Sequence, residues 1–109
     1  MATTRKVLGQ VAPAATTATT LYTVPASTST VCSTLTVANR SASAASFRVA
    51  VRPNGATLAN EHYVYYDIAI PGADAFAATL GITLDAADVV TVYASTANLS
   101  FGLFGEETT

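Results

Sequence analysis

Residues 21–39, LYTVPASTSTVCSTLTVAN, predict a strand, a short polar turn and a second, longer strand. β-Forming residues fill the first part, and Pro25 then removes a backbone donor where the ladder should end. Beyond the turn, residues alternate, which favours a strand with Val31 and Leu35 on one face and Cys32 on the other. The stretch therefore predicts a hairpin with one apolar face and one small, polar face.

The same period of two recurs along most of the chain. Residues 45–52 give the clearest half-buried strand, and Asn54-Gly55 supplies a turn that tolerates positive φ. Further strands are predicted over residues 7–13, 62–70, 74–84, 89–95 and 99–104. About eight short strands without a convincing helix indicate an all-β fold, an antiparallel two-sheet β-sandwich. The pattern leaves jelly-roll and immunoglobulin-like connections both open.

Two strands carry finer predictions. In residues 62–70, the favoured arrangement places Val64, Tyr66, Ile68 and Ile70 inward and Tyr63, Tyr65 and Asp67 outward. In residues 74–84, Gly81 interrupts the alternation, which indicates a bulge or a close backbone approach and a point where the strand could end.

The composition favours contact with other proteins. Only 11% of the 109 residues are charged, nearly half are Ala, Ser or Thr, and the formal net charge is −2. A surface with so few charges has weak electrostatic protection against association. The basic pair Arg5-Lys6 is too small a footprint for nucleic acid. No apolar run has the length of a membrane span, and the N-terminus lacks a signal-peptide core, so we expect no membrane partner and synthesis in the cytoplasm of the producing cell.

The residues that carry chemistry are few and scattered. One histidine, His62, and dispersed carboxylates do not make an acid/base site, and no serine lies in a nucleophile motif. One cysteine and one histidine cannot build a zinc site, and no glycine-rich loop follows a strand. We therefore expect no enzyme, no metal and no cofactor, with Cys32 as a packed side chain.

Candidate contact residues lie in two places. Outward Tyr63 and Tyr65, with Arg48 or Arg52 beside them, could bind a sugar or a peptide, and cross-strand pairing on a solvent-facing sheet is the alternative. Residues 1–6 are predicted to form a flexible arm whose contacts are Arg5 and Lys6. The sandwich domain would then span residues 7–104, and residues 105–109 would form an acidic tail.

Strand and turn phrases across residues 9–104 resemble small structural proteins of tailed bacteriophages, especially those of aquatic hosts such as cyanobacteria. The phrases are LYTVPA at 21–26, the strand 31–37, ANRS at 38–41, FRVA at 47–50, YYD at 65–67, LGITL at 80–84, DVVTVY at 88–93 and LSF at 99–101.

The resemblance implies a β-sandwich used in the virion and transfers no catalytic residue. The expected function is that of a capsid decoration or cement protein, which stabilises the lattice by binding the major capsid protein or other virion proteins. A homo-oligomer such as a trimer is expected, with the terminal arms gripping capsid subunits. A tail fibre or baseplate module that binds a host receptor or carbohydrate is the alternative.

Overall fold

The structure, a computed structural model, describes residues 2–109. Eight strands account for most of this range, and two short 3-10 turns, Pro53–Gly55 and Asn60–His62, lie between the fourth and fifth strands. The strands are β1 (Thr3–Val11), β2 (Thr19–Thr23), β3 (Ser29–Asn39), β4 (Ala45–Arg52), β5 (Tyr63–Ile70), β6 (Ala75–Leu84), β7 (Val89–Ala94) and β8 (Leu99–Thr108).

The strands form two antiparallel four-stranded sheets. Sheet 1 has the order β1-β8-β3-β6, and sheet 2 has the order β2-β7-β4-β5. Each of the first four strands pairs with one of the last four in reverse order: β1 with β8, β2 with β7, β3 with β6 and β4 with β5. This is the order produced when one long antiparallel ribbon is rolled into two layers, which is the jelly-roll arrangement. The predicted sandwich is confirmed, and of the two connections left open the structure has the jelly roll.

The core lies between the two sheets and is built from alternate residues of the paired strands. Phe47 on β4 is fully buried and packs edge-on against Phe101 of β8, with ring centroids 6.0 Å apart. The strand β8 contributes Leu99, Phe101 and Leu103, as its alternation predicts. Other fully buried side chains are Val24, Leu35, Val37, Ile70 and Val92.

A bulge in β3 changes which residues of the opening stretch face the core. Against β8, Cys32 pairs with Gly105 and Thr34 with Phe104, so Ser33 is an extra residue without a partner. Val31 is consequently 37% exposed whereas Cys32 is buried, which reverses the predicted faces at these two positions. Leu35, beyond the bulge, is buried as predicted.

Glycines mark two of the irregular places. A Cβ on Gly105 would overlap the carbonyl oxygen of Val31, so only glycine fits opposite the β3 bulge. Gly81 adopts φ +115 at a register shift between β6 and β3, which confirms the predicted bulge. The space around Gly81 is open and β6 continues to Leu84, so its role is conformational and the strand does not end there.

Both chain ends differ from the prediction of a flexible arm and an acidic tail. Residues 3–6 belong to β1, and residues 105–108 belong to β8. Arg5 lies opposite Glu106, and the Ala2 and Thr109 backbones exchange hydrogen bonds of 3.1 and 2.9 Å. The arm prediction was wrong because each end supplies the backbone partners and opposite charges that the other needs.

Candidate functional site

The exposed face of sheet 2 carries an aromatic cluster around one arginine, which we call the Arg48 stack: Arg48, Tyr63, Tyr66, Asp67 and Tyr93. Arg48 and Tyr93 are cross-strand partners on β4 and β7, so their side chains leave the sheet side by side. The Arg48 guanidinium lies 4.2 Å from the Tyr66 ring centroid and 4.4 Å from that of Tyr93. It is therefore held between two aromatic rings.

An ion pair fixes the arginine in this position. The Arg48 Nε donates to Asp67 Oδ1 at 2.6 Å, and a second guanidinium nitrogen donates to Asp67 Oδ2 at 3.4 Å. The hydrogen bond to Asp67 raises the pKa of Arg48 further above its ordinary value. Tyr63 extends the cluster, because its ring meets that of Tyr66 edge-on at 4.9 Å.

The stack exists because β5 is irregular. Against β4, Phe47 pairs with Ile68 and Val49 with Tyr65, so β5 has one residue more than its partner in this interval. Asp67 takes φ 53 at this bulge, a conformation that aspartate tolerates better than most residues. The bulge lets both Tyr66 and Asp67 face outward.

The predicted faces of β5 were therefore partly wrong. Tyr66 is 54% exposed and Val64 is 42% exposed, although both were predicted to lie inward. Tyr65 was predicted to lie outward, but its ring packs on the inner side, 5.5 Å from Phe76 and 6.2 Å from Phe47. Ile68 and Ile70 lie inward as predicted.

The four predicted contact residues thus separate in the structure. Arg48 and Tyr63 belong to the stack, and Tyr65 does not. Arg52 lies apart from these contacts, donating from Nε to Thr91 Oγ1 at 3.1 Å and from a terminal nitrogen to the Ala56 carbonyl at 3.2 Å. Sequence reasoning missed Tyr66 and Tyr93, and the Asp67 bulge that exposes Tyr66 has no glycine to signal it.

A second surface is the outer face of sheet 1. A groove of about 640 Å³ opens beside β1, β8 and β3 and is lined mainly by Arg5, Lys6, Val7, Val31, Phe104 and Glu106. Arg5 and Lys6, which were predicted to lie in a flexible arm, line this groove as part of β1. Arg5 lies 3.5 Å from Glu106, and the Lys6 ammonium lies 3.2 Å from Glu107. The charges at this end of the sheet are therefore paired across β1 and β8.

A buried polar cluster joins the two sheets near the same end. The Tyr22 hydroxyl lies 2.8 Å from Thr30 Oγ1 and donates to Glu107 Oε2 at 2.5 Å. Burial, with the Glu107 hydrogen bond as the next cause, raises the pKa of Tyr22 to about 12. The hydrogen bond from Tyr22 in turn lowers the pKa of Glu107. This hydrogen bond between a protonated phenol and an ionised carboxylate links β2 to β8, so the cluster has a structural role.

His62 and Cys32 also occupy structural positions. The Ala59 N–H donates to His62 Nδ1 at 3.0 Å, so the imidazole caps a 3-10 turn. Cys32 lies in the core, where burial raises the pKa of its thiol to about 11. Within residues 2–109, no three side chains of the metal-binding types cluster together, and no helix is long and apolar enough to cross a membrane.

No protein-family model matches the chain, and no curated protein is a significant match.

Proposed function

We propose that the protein is a non-catalytic structural protein of a bacteriophage virion, which binds the capsid as a decoration or cement protein. The outer face of sheet 1 is the observation that carries the proposal. Side chains there are mostly small and uncharged, and β6 presents Ala75, Ala77, Thr79 and Thr83 to the outside.

Charge is almost absent from this face, and the charge that it has is neutralised. Arg5 and Glu106 lie at one end and pair with each other. Apolar side chains are exposed nearby, with Val7 48% and Val31 37% accessible. A surface of this kind loses little hydration when another protein covers it, because it holds few charges that need water. It therefore suits a broad, flat contact with capsid subunits.

The fold and the sequence phrases support the same proposal. Jelly-roll sandwiches occur in viral capsid and lectin domains, an analogy of fold that raises the expectation of a virion role without assigning a site. The resemblance to structural proteins of tailed phages supplies the class of partner, the major capsid protein or another virion protein. Because both chain ends are paired strands, the proposed contact is a sheet face, in place of the gripping arms expected from the sequence.

Immunogold labelling tests where the protein resides. An antibody against the chain is applied to virions purified from a lysate in which the protein is produced. Gold on heads supports the decoration role, gold on tails supports the alternative below, and particles without gold contradict both.

A substitution tests the proposed face. Thr36→Lys places a charge on the outer face of sheet 1 between the uncharged cross-strand partners Ala77 and Gly102, so its binding to heads should fall by at least about tenfold. Thr20→Lys, on the exposed side of β2 in the other sheet, is the matched control and should bind as the unmodified protein does. Equal binding by both variants would exclude this face as the contact.

The Arg48 stack supports a second candidate function, a tail module that binds a host carbohydrate. Exposed tyrosine rings offer stacking surfaces for a sugar, and Arg48 and Asp67 offer polar groups beside them. Glycan-array binding that disappears with Tyr66→Ala and remains with Thr20→Lys would favour this candidate. Absence of binding to any glycan by the unmodified protein would count against it.

A further inference from the structure

We infer that the protein forms a two-fold symmetric dimer through β6, with residues 75–79 of one copy pairing antiparallel with residues 75–79 of a second copy. This inference goes beyond the proposed function, because it concerns a contact of the protein with itself. It can hold or fail whether or not the protein joins a virion.

The four edge strands of the sandwich differ in how well they resist pairing. Isolated proteins protect sheet edges with charges, bulges or short strands. The edge β1 carries Arg5 and Lys6, β2 has only 5 residues, and β5 is bulged at Asp67. In contrast, β6 has no charged side chain, and its bulge at Gly81 leaves the first half of its 10 residues regular. The edge of β6 is therefore the least protected of the four.

The first half of β6 is regular and presents its backbone groups outward. Residues 75–79 pair with residues 38–34 of β3 without a shift, and the Gly81 bulge lies beyond this segment. The Asn39 N–H donates to the Asp74 carbonyl at 2.9 Å, which fixes the alternation of the ladder. The N–H and C=O groups of Ala75, Ala77 and Thr79 consequently point away from β3. The Ala75 N–H already takes an acceptor on that side, Asp74 Oδ1 at 2.7 Å.

A half-covered apolar seam runs beside this edge. Phe76 on the inner face of β6 packs against the core, with its ring 5.2 Å from Phe47 and 5.5 Å from Tyr65, yet it remains partly exposed. Ile68 of β5 is partly buried in the same way. These side chains lie on the open side of the sandwich, between the edges β5 and β6, and a neighbour at that edge would cover them.

A second copy fits this edge in size and charge. With the two-fold axis at Ala77, Ala77 faces itself and Ala75 faces Thr79, so the outer face of the joined sheets holds only small residues. On the inner face, Phe76 lies opposite Ala78 of the second copy, a large side chain against a small one. No carboxylate lies opposite another, because Asp74 falls opposite Leu80. The carbonyl of Thr79 from the second copy then replaces Asp74 as the acceptor for Ala75.

Sedimentation analysis of the purified chain tests the dimer. We expect a dimer whose mass falls by half with Ala77→Lys, which places two lysines opposite each other at the axis, and with Ala77→Pro, which removes an outward donor. Circular dichroism should show retained β structure, because neither change removes a hydrogen bond to β3. Thr20→Lys should remain a dimer. A monomeric or trimeric unmodified protein, or a dimer that survives both Ala77 variants, would overturn the inference.

Hydrogen exchange on the unmodified protein gives a second measurement that needs no variant. The Ala77 and Thr79 amides should exchange at least about 100-fold more slowly at dimer-forming concentrations than under dilution, because pairing covers them. Unprotected amides at both positions would contradict the inference, whatever the Ala77 variants do.

Discussion

Replacing Tyr22 with phenylalanine should destabilise the protein at neutral pH and have little effect at high pH. Near pH 8, Tyr22→Phe removes the hydrogen bonds to Thr30 and Glu107 and leaves two buried or half-buried oxygens without this partner. The expected loss in the free energy of unfolding is about 1 to 3 kcal/mol, the range for leaving a buried hydrogen-bonding group without its partner.

High pH should reduce this difference. Burial raises the pKa of Tyr22 from 10.0 to about 12, so the folded state holds the phenolic proton more tightly than the unfolded chain does. The resulting stabilisation is complete below pH 10 and is lost as pH rises from 10 to about 12. Since each tenfold change in proton affinity corresponds to about 1.4 kcal/mol, the unmodified protein should lose up to about 3 kcal/mol through Tyr22 in this window. The phenylalanine variant cannot lose it.

Urea unfolding followed by circular dichroism at pH 8, 10, 11 and 12 measures the effect. The Cys32 thiol ionises in the same pH range and interacts with Tyr22, so both proteins are compared on a Cys32→Ala background. Tyr66→Phe is the control at an exposed ring and should stay within about 0.5 kcal/mol of the unmodified protein at pH 8. A difference between Tyr22→Phe and the unmodified protein that stays constant from pH 8 to 12 would refute burial of the phenol as the cause.

Three further predictions follow from the core and its edges. Glu107→Gln should lose less stability than the unmodified protein on acidification. The Tyr22 hydrogen bond lowers the pKa of Glu107, and the stabilisation that this gives disappears as pH falls through the carboxyl range and below. Urea unfolding from pH 7 to 2 measures both losses, and equal losses would contradict the prediction. Cys32 should resist iodoacetamide in the folded protein at pH 8 and react in urea, as measured by mass spectrometry, and fast labelling of the folded protein would contradict its burial. Gly105→Ala should lower the free energy of unfolding by at least about 3 kcal/mol, because the new methyl group meets the β3 backbone. Gly81→Ala has open space and only an unfavourable φ, so it should lower the free energy of unfolding by about 1 kcal/mol. Similar unfolding midpoints of the two variants in urea would contradict this.

The sequence predicted the layered β structure well because alternation reflects which face of a strand is buried. It failed where a bulge changed that alternation. Val31 and Cys32 exchange faces because Ser33 is an extra residue in β3, and serine gives no sign of this. Gly81 was predicted correctly because glycine is the residue that a bulge with positive φ favours.

The candidate site depended even more on irregular backbone. Tyr66 reaches the surface only because Asp67 takes a left-handed conformation, and Tyr93 joins it through the pairing of β7 with β4. Both depend on how β4 pairs with its neighbouring strands, which the residues next to Tyr66 and Tyr93 in the sequence do not indicate. The terminal pairing of Arg5 with Glu106 had a signal in the sequence, opposite charges near the two ends, but its meaning depends on the strand order.

The position of β1 has a consequence for biosynthesis. Its one strand neighbour is β8, and their paired residues include Thr3 with Thr108. Among these eight strands β1 is made before the others, so it must wait, unpaired, until β8 has been made. Such long-range pairing slows folding and prolongs exposure of an open edge. We expect the sandwich to close only after β8 has emerged, which makes the nascent chain a candidate substrate for chaperones.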